Sequence, residues 1–268
     1  MDFGKVVGDA FEYTKDGLLK NPGTWVLLLI LILLPLIAFI PVILVIAPSL
    51  IAGVMPDIAT FISALAAGII IAVLLSAFYQ GYLIKIFRGE QPLPAVSGFV
   101  KMFIDGIKYM VIEFIYAIPV FIILALTIGS TLLSALSGGV DPNALPASFW
   151  GSIILGVLIA LVAAFVLALV SVIGVVRFAR TGRMGEAFNF RAIFATIGRI
   201  GWGTYILALI IVVVIIVIVQ VILGLIPYIG AVIQFIISPF ITVFGTRYIC
   251  LIYDAGDDGQ SSAAVQLQ

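Results

Sequence analysis

The 268-residue chain has no histidine and a single cysteine, Cys250. Without histidine it lacks the side chain that most often serves as general base and metal ligand. One cysteine allows neither an intrachain disulfide nor a thiolate metal cluster, and Cys250, set in an apolar run, reads as a small buried apolar residue. Charged residues are also scarce, at 10% against about a quarter in soluble domains, while hydrophobic residues reach 64%. Such a chain cannot hide its apolar surface from water, so its solvent is lipid. The 13 Lys and Arg are balanced by 13 Asp and Glu. Both signs share one side of the membrane, which excludes the polybasic patch a nucleic-acid partner needs. Phosphate-loop and zinc-protease signatures are absent, and no spacing suggests a serine or cysteine triad.

What the chain does have is long apolar stretches, at about Trp25–Ala47, Ile58–Ile84, Met110–Leu133, Phe149–Val176, Trp202–Leu225 and Tyr228–Ile252. Each meets or exceeds the roughly 20 residues that cross a hydrocarbon core. The cations alternate between them. Lys5, Lys15 and Lys20 precede the first stretch, and Lys85, Arg88, Lys101 and Lys108 lie between the second and third. Arg177, Arg180, Arg183, Arg191 and Arg199 lie between the fourth and fifth, and Arg247 sits near the end of the sixth. The connections around Pro48–Asp57, Ser130–Phe149 and Leu225–Gly230 hold no cation; Asp57 and Asp141 are their ionisable residues. Because Lys- and Arg-rich loops stay cytoplasmic, the expectation is six spans in the cell membrane with both termini in the cytoplasm. A re-entrant hairpin at Pro35, Pro41 and Pro48 would reverse that parity and put basic residues outside. Residues 1–24 mix acids with bases ahead of a run too long for a signal peptide, so no cleavage is expected.

The period changes between the spans. Phe3, Val6, Val7, Ala10, Phe11, Thr14 and Leu18 form a helical stripe, with Lys5, Asp9, Glu12 and Asp16 elsewhere around the helix. Phe99, Val100, Phe103, Ile104 and Ile107 do the same opposite Lys101, Asp105 and Lys108, and so do Phe190, Ile193, Phe194 and Ile197 opposite Arg191 and Arg199. These are expected to be amphipathic helices lying in the interface, each just before an odd span. The fold expected is therefore an all-α membrane protein of six transmembrane helices in three parallel-oriented repeats, each an amphipathic helix followed by a helix pair. Residues 1–256 form one membrane domain, with repeats at about 3–89, 96–182 and 188–256. Gly81 and Gly89 match Gly174 and Gly182 in separation, as Lys85 and Arg88 match Arg177 and Arg180. Residues 257–268 read as a disordered polar tail.

Few side chains in the spans carry chemistry. Glu113, near the start of the third span, is either an interfacial glutamate favoured by a helix N-terminus or a proton or cation site facing the bundle interior. Gln80, Gln220 and Gln234 read as interhelical hydrogen-bonding groups or as part of a substrate path. Gly68, Gly156 and Gly174 suit close helix approach, and Pro35, Pro41, Pro119 and Pro239 suit kinks. Trp25, Trp150 and Trp202 mark the starts of spans. Lys85, Arg88, Arg177, Arg180 and Arg183 are candidate contacts for anionic lipid headgroups.

The segments QGYLIKIFRGEQPLP, FVKMFIDGIKYMVIEFIYAIP and RFARTGRMGEAFNF resemble domain of unknown function 4013, an uncharacterised, mainly archaeal family of multipass membrane proteins. The resemblance implies the multipass architecture over most of residues 3–256 and brings no activity, catalytic residue or cofactor. Taken together, the sequence points to a non-enzymatic scaffold or accessory component at the cytoplasmic interface, with the lipid bilayer or another membrane protein as partner. The alternative is a small-molecule or lipid transporter, which would gather Glu113 and the glutamines around one cavity. An intramembrane enzyme using Glu113 and Asp105 as a carboxylate pair is a third class.

Overall fold

A computed structural model describes residues 1–55, 57–137 and 147–265, and among them it contains helices and no strand. Helix α1 (Phe3–Leu19) starts where the Asp2 carboxylate accepts the Lys5 amide at 3.1 Å. It stops before Pro22, which opens α2 (Pro22–Leu33). Pro35 and Pro41 lack amide hydrogens, so α2 tightens into a 3-10 stretch (Leu34–Phe39) before α3 (Ile40–Ile51). The first span is thus a kinked helix covering Pro22–Ile51.

Asp57 caps α4 (Ile58–Phe87), its carboxylate accepting the Thr60 amide at 2.9 Å. The hydrogen bond from that amide holds the Asp57 carboxyl below its ordinary value. Gly89, at φ 80°, ends the helix. Next come α5 (Phe99–Leu124), a π-helical turn (Ala125–Gly129) a few residues past Pro119, and α6 (Ser130–Ser137). Helix α7 (Ala147–Thr181) ends at Gly182, at φ 71°. A 3-10 turn (Met184–Phe188) then leads to α8 (Phe190–Ile200), α9 (Trp202–Gly224) and α10 (Gly230–Val265). Six helical segments are long and apolar enough to cross a membrane, matching the six apolar stretches of the sequence.

Two expectations are revised. The amphipathic stripe at Phe99–Ile107 is not a separate interfacial helix but the first turns of α5, which runs on unbroken into the third span. The other two stripes are set apart as α1 and α8 by helix breakers, Asn21-Pro22 and Gly201 at φ 90°. No such residue stands between Lys108 and Glu113, so the second unit departs from the other two. At the other end of the chain, the backbone expected to be a disordered tail stays helical to Val265. A helix already nucleated by its span adds residues at little cost. Residues 266–268 and Asp141 lie outside the described residues.

Buried side chains gather at the end of the bundle that carries the cations. They include Tyr82, Ile84 and Ile86 on α4, Ile173, Val176 and Phe178 on α7, and Val243, Tyr248 and Cys250 on α10. The tightest approach is between α4 and α5. A Cβ added to Gly81 would lie 1.7 Å from the Met102 carbonyl oxygen, and one added to Gly106 would lie 1.8 Å from that of Ala77. Small residues let backbones touch where lipid supplies no hydrophobic drive between helices. Gly68, Gly156 and Gly174 also lie against neighbours, at 2.7 Å from Val42, 2.5 Å from Thr127 and 2.6 Å from the Ala187 carbonyl.

Gly81→Ala is therefore expected to destabilise the protein by about 1–3 kcal/mol, the range for overpacked cores. Gly8→Ala, whose Cβ would meet open space, should be neutral or slightly stabilising. Melting curves of both variants in detergent check this; equal melting temperatures would mean that the α4–α5 approach has slack.

Candidate functional site

The polar side chains of the spans do not converge. The Gln234 amide donates to the Gln220 backbone carbonyl at 2.8 Å, tying α10 to α9 just below their turn. Gln80 is half-buried on α4 and has no hydrogen bond to another described side chain or carbonyl. Glu113 lines a groove of about 250 Å³ between α5 and α7, with Tyr116, Leu167 and Ser171. None of the three glutamines borders that groove, and no described residue hydrogen-bonds the Glu113 carboxyl.

The cationic end, in contrast, is densely connected. Arg180 near the end of α7 donates from Nε to the Phe87 carbonyl at 3.0 Å, and from Nη2 to both Asp254 carboxylate oxygens at 2.7 and 3.0 Å. One guanidinium thus joins α4, α7 and α10. Gly89 leaves room for it, since a Cβ there would lie 2.6 Å from Arg180 Nη1. Arg88 pairs with Asp105 at 2.5 Å across the α4–α5 crossing. Arg177 pairs with Glu186 in the turn after α7, and that hydrogen bond holds the Glu186 carboxyl below the usual glutamate range. Lys85 donates to the carbonyls of Ala95 and Ser97 at 3.1 and 2.6 Å, fastening the loop between α4 and α5. Of the five cations expected to meet lipid headgroups, only Arg183 is exposed without a side-chain partner among the described residues.

Tyrosines complete the network, and sequence reasoning passed them over. Hydroxyls donate from Tyr82 to Pro94 at 3.0 Å, from Tyr205 to Leu169 at 2.7 Å, from Tyr248 to Ala208 at 3.1 Å and from Tyr116 to Ala187. Every acceptor is a backbone carbonyl. A buried tyrosine hydroxyl calls for a partner, and for these four it is a neighbouring helix or loop. The available signal was the placement of eight of the nine tyrosines toward the cation-rich segments, Tyr228 being the exception.

A cavity of about 530 Å³ opens between α1, the loop after α4 and α10. Tyr13 on α1 donates to the Glu90 carbonyl at 3.0 Å, and burial pushes its phenol up from the ordinary value. Arg247 of α10 lies 4.8 Å from the centre of the Tyr13 ring and is only 6% exposed. Its Nε and Nη1 have no hydrogen-bond partner. Asp9, Glu12 and Asp16 of α1 border the same cavity, and Asp16 pairs with Lys20 at 2.8 Å.

Two outcomes follow for this end of the bundle. Asp254→Ala should cost about 0.2–1 kcal/mol, as partly exposed ion pairs do. Arg180→Ala should cost more because it also frees the Phe87 carbonyl, and a double-mutant cycle by thermal unfolding measures the coupling. The Glu186 carboxyl is depressed in the folded state, so its pair with Arg177 stabilises above the ordinary glutamate value, about 4.3. That contribution is lost as pH falls through the lower folded value. Glu186→Gln should flatten this acid limb of the melting-temperature profile; an unchanged limb would assign it to other groups.

Comparison with known proteins adds a family and no activity. The family described as Protein of unknown function (DUF4013) matches residues 64–228, from within α4 to the turn before α10. That is narrower than the extent suggested by the segments quoted above, and it leaves α1, the first span and α10 unmatched. No curated protein matches the chain, and no solved structure does. With more than half of its length matched, this chain belongs to the DUF4013 family of proteins of unknown function.

Proposed function

We propose that the protein is a non-enzymatic membrane component that works at the cytoplasmic interface, as a scaffold or accessory subunit for lipid or for another membrane protein. One observation carries this reading: ion pairs, tyrosine hydrogen bonds and packed core concentrate at the cationic end, while the polar side chains within the spans lie apart. The positive-inside bias supports placing that end in the cytoplasm. Exposed apolar side chains there suit a lipid surface. Phe190, Phe194 and Trp202 are 48%, 46% and 46% exposed, beside the exposed Arg183 and Arg191. Aromatic rings dipping below cations are how interfacial helices hold anionic membranes.

Glu113 favours a second reading, a small-molecule or lipid transporter, because an unpartnered carboxyl in a groove between spans is expensive unless it is used. One experiment separates the two. Purification in mild detergent followed by native mass spectrometry should retain a stoichiometric lipid or membrane protein. A partner-free monomer that drives flux in liposomes would overturn the scaffold, and loss of that flux in Glu113→Gln would establish the transporter. Orientation has its own test. In right-side-out vesicles, Asp57→Cys should react with an impermeant maleimide at once, and Gly185→Cys only after permeabilisation, with buried Cys250 silent in both. The reverse order would place the cationic end outside.

A further inference from the structure

The fold leaves Glu113 without an internal counter-charge or donor. Helix α5 begins at Phe99, so Glu113 stands about four turns along it, beyond the first-turn dipole that would favour an interfacial acid. Both hydroxyls that border its groove are already spent. Tyr116 donates to the Ala187 carbonyl, and Ser171 donates to the Ala168 carbonyl at 3.2 Å. No Lys or Arg borders the groove. Lys108, five residues earlier, sits about 140° around α5 from Glu113. Arg177 of α7 is paired with Glu186. The buried polar atoms that lack a partner do not include the Glu113 oxygens, so its carboxyl keeps accessible surface on the groove.

The remaining walls are apolar, with Ala117, Val120 and Phe121 of α5 bordering the groove together with Ala164, Leu167 and Ala168 of α7. A lone carboxylate falls well short of the oxygen cage that a hard metal ion takes, and among the described residues no metal-holding group of acids forms. An organic cation with an apolar body meets both features. We propose that this groove binds a small lipophilic amine in its ammonium form, with the ammonium on the Glu113 carboxylate and the apolar body against Val120, Phe121 and Leu167. The ammonium brings the counter-charge and the hydrogen-bond donors that the groove itself does not supply. An uncompensated carboxylate beside hydrocarbon is expensive, and a bound cation removes that cost. The volume of about 250 Å³ exceeds the roughly 150 Å³ that holds a benzene ring, which leaves room for one ring and a short ammonium arm. Glu113 also lies roughly 7 Å farther along α5 than Lys108, deeper than a lipid headgroup places its own ammonium, so the occupant is the free amine. The proposal names a ligand class for the groove on which the transporter reading rests, but binding requires no flux, so the two fail separately.

The test uses the full-length chain in phosphatidylcholine nanodiscs, titrated calorimetrically at neutral pH with phenethylamine, phenethyl alcohol and ethylamine. The alcohol keeps the ring without the charge, and ethylamine keeps the charge without the ring. Phenethylamine should bind at least about tenfold more tightly than either. Glu113→Gln should abolish the advantage over the alcohol without lowering the melting temperature, because no internal partner is lost. Ala168→Phe, on an exposed helix surface, keeps the carboxylate and fills the groove, and it should weaken phenethylamine by at least about tenfold. That variant decides the matter even if Glu113→Gln fails to fold. Nanodiscs containing phosphatidylethanolamine should bind the probe equally well; loss of binding there would give the groove to the headgroup ammonium and overturn the free amine. No binding of phenethylamine, equal affinity for the alcohol, or binding unchanged in either variant also overturns the proposal. Binding without flux in liposomes would keep the site and remove the transporter reading.

Discussion

The contact on which the rest of the structure depends is the backbone approach of α4 and α5 at Gly81 and Gly106. Ala77 and Gly81 on one helix face Met102 and Gly106 on the other, with separations that admit no additional Cβ. That approach sets Arg88 beside Asp105, and it brings the loop between the helices under Tyr82 and Lys85. The fastened loop then offers Glu90 to Tyr13 and Leu93 to Gly17, where a Cβ would lie 2.5 Å away, so α1 docks on the same construction. Cysteine 250 closes the circuit, with Sγ 3.3 Å from the Ile86 carbonyl.

In lipid the hydrophobic effect gives helices little reason to prefer one another over acyl chains. Specific hydrogen bonds and close backbone contact must therefore decide which faces meet. The distribution of buried side chains agrees: packing is concentrated where tyrosine hydroxyls and guanidinium groups find carbonyls on neighbouring elements. Arg180 shows the economy of this arrangement, because one side chain satisfies the Phe87 carbonyl at the end of α4, anchors α10 through Asp254 and fills the space Gly89 leaves. Cations that the positive-inside bias would keep on one side for topology alone thus also serve as joints between helices.

The same logic explains which parts of the candidate site were legible. Arg247 is visible in the sequence as a cation near the end of the last span, but its isolation from hydrogen-bond partners is not. That property depends on Tyr13, 234 positions earlier, on the docking of α1, and on the distance Asp9 and Glu12 keep. Lys85, Arg88, Arg177 and Arg180 were likewise visible as cations at the ends of spans. Their partners, among them Asp105, Glu186 and Asp254, are ordinary acids on cation-rich segments, with no spacing that announces them.

Composition and hydropathy by themselves determined the helical class, the six spans with bounds close to those observed, and the segregation of cations to alternate connections, because apolar length and charge placement are properties of local sequence. Helix breaks were legible where proline or glycine supplied them, as at Pro22 and Gly201, and the continuity of α5 follows from the absence of such a residue. Only the tertiary structure decided that the glutamines and Glu113 lie apart, that four of the five proposed lipid-binding cations have internal partners, and that Arg247 is buried with unmade hydrogen bonds. The physical reason is that each of these depends on which helix faces meet, a choice made by contacts between residues remote in the chain.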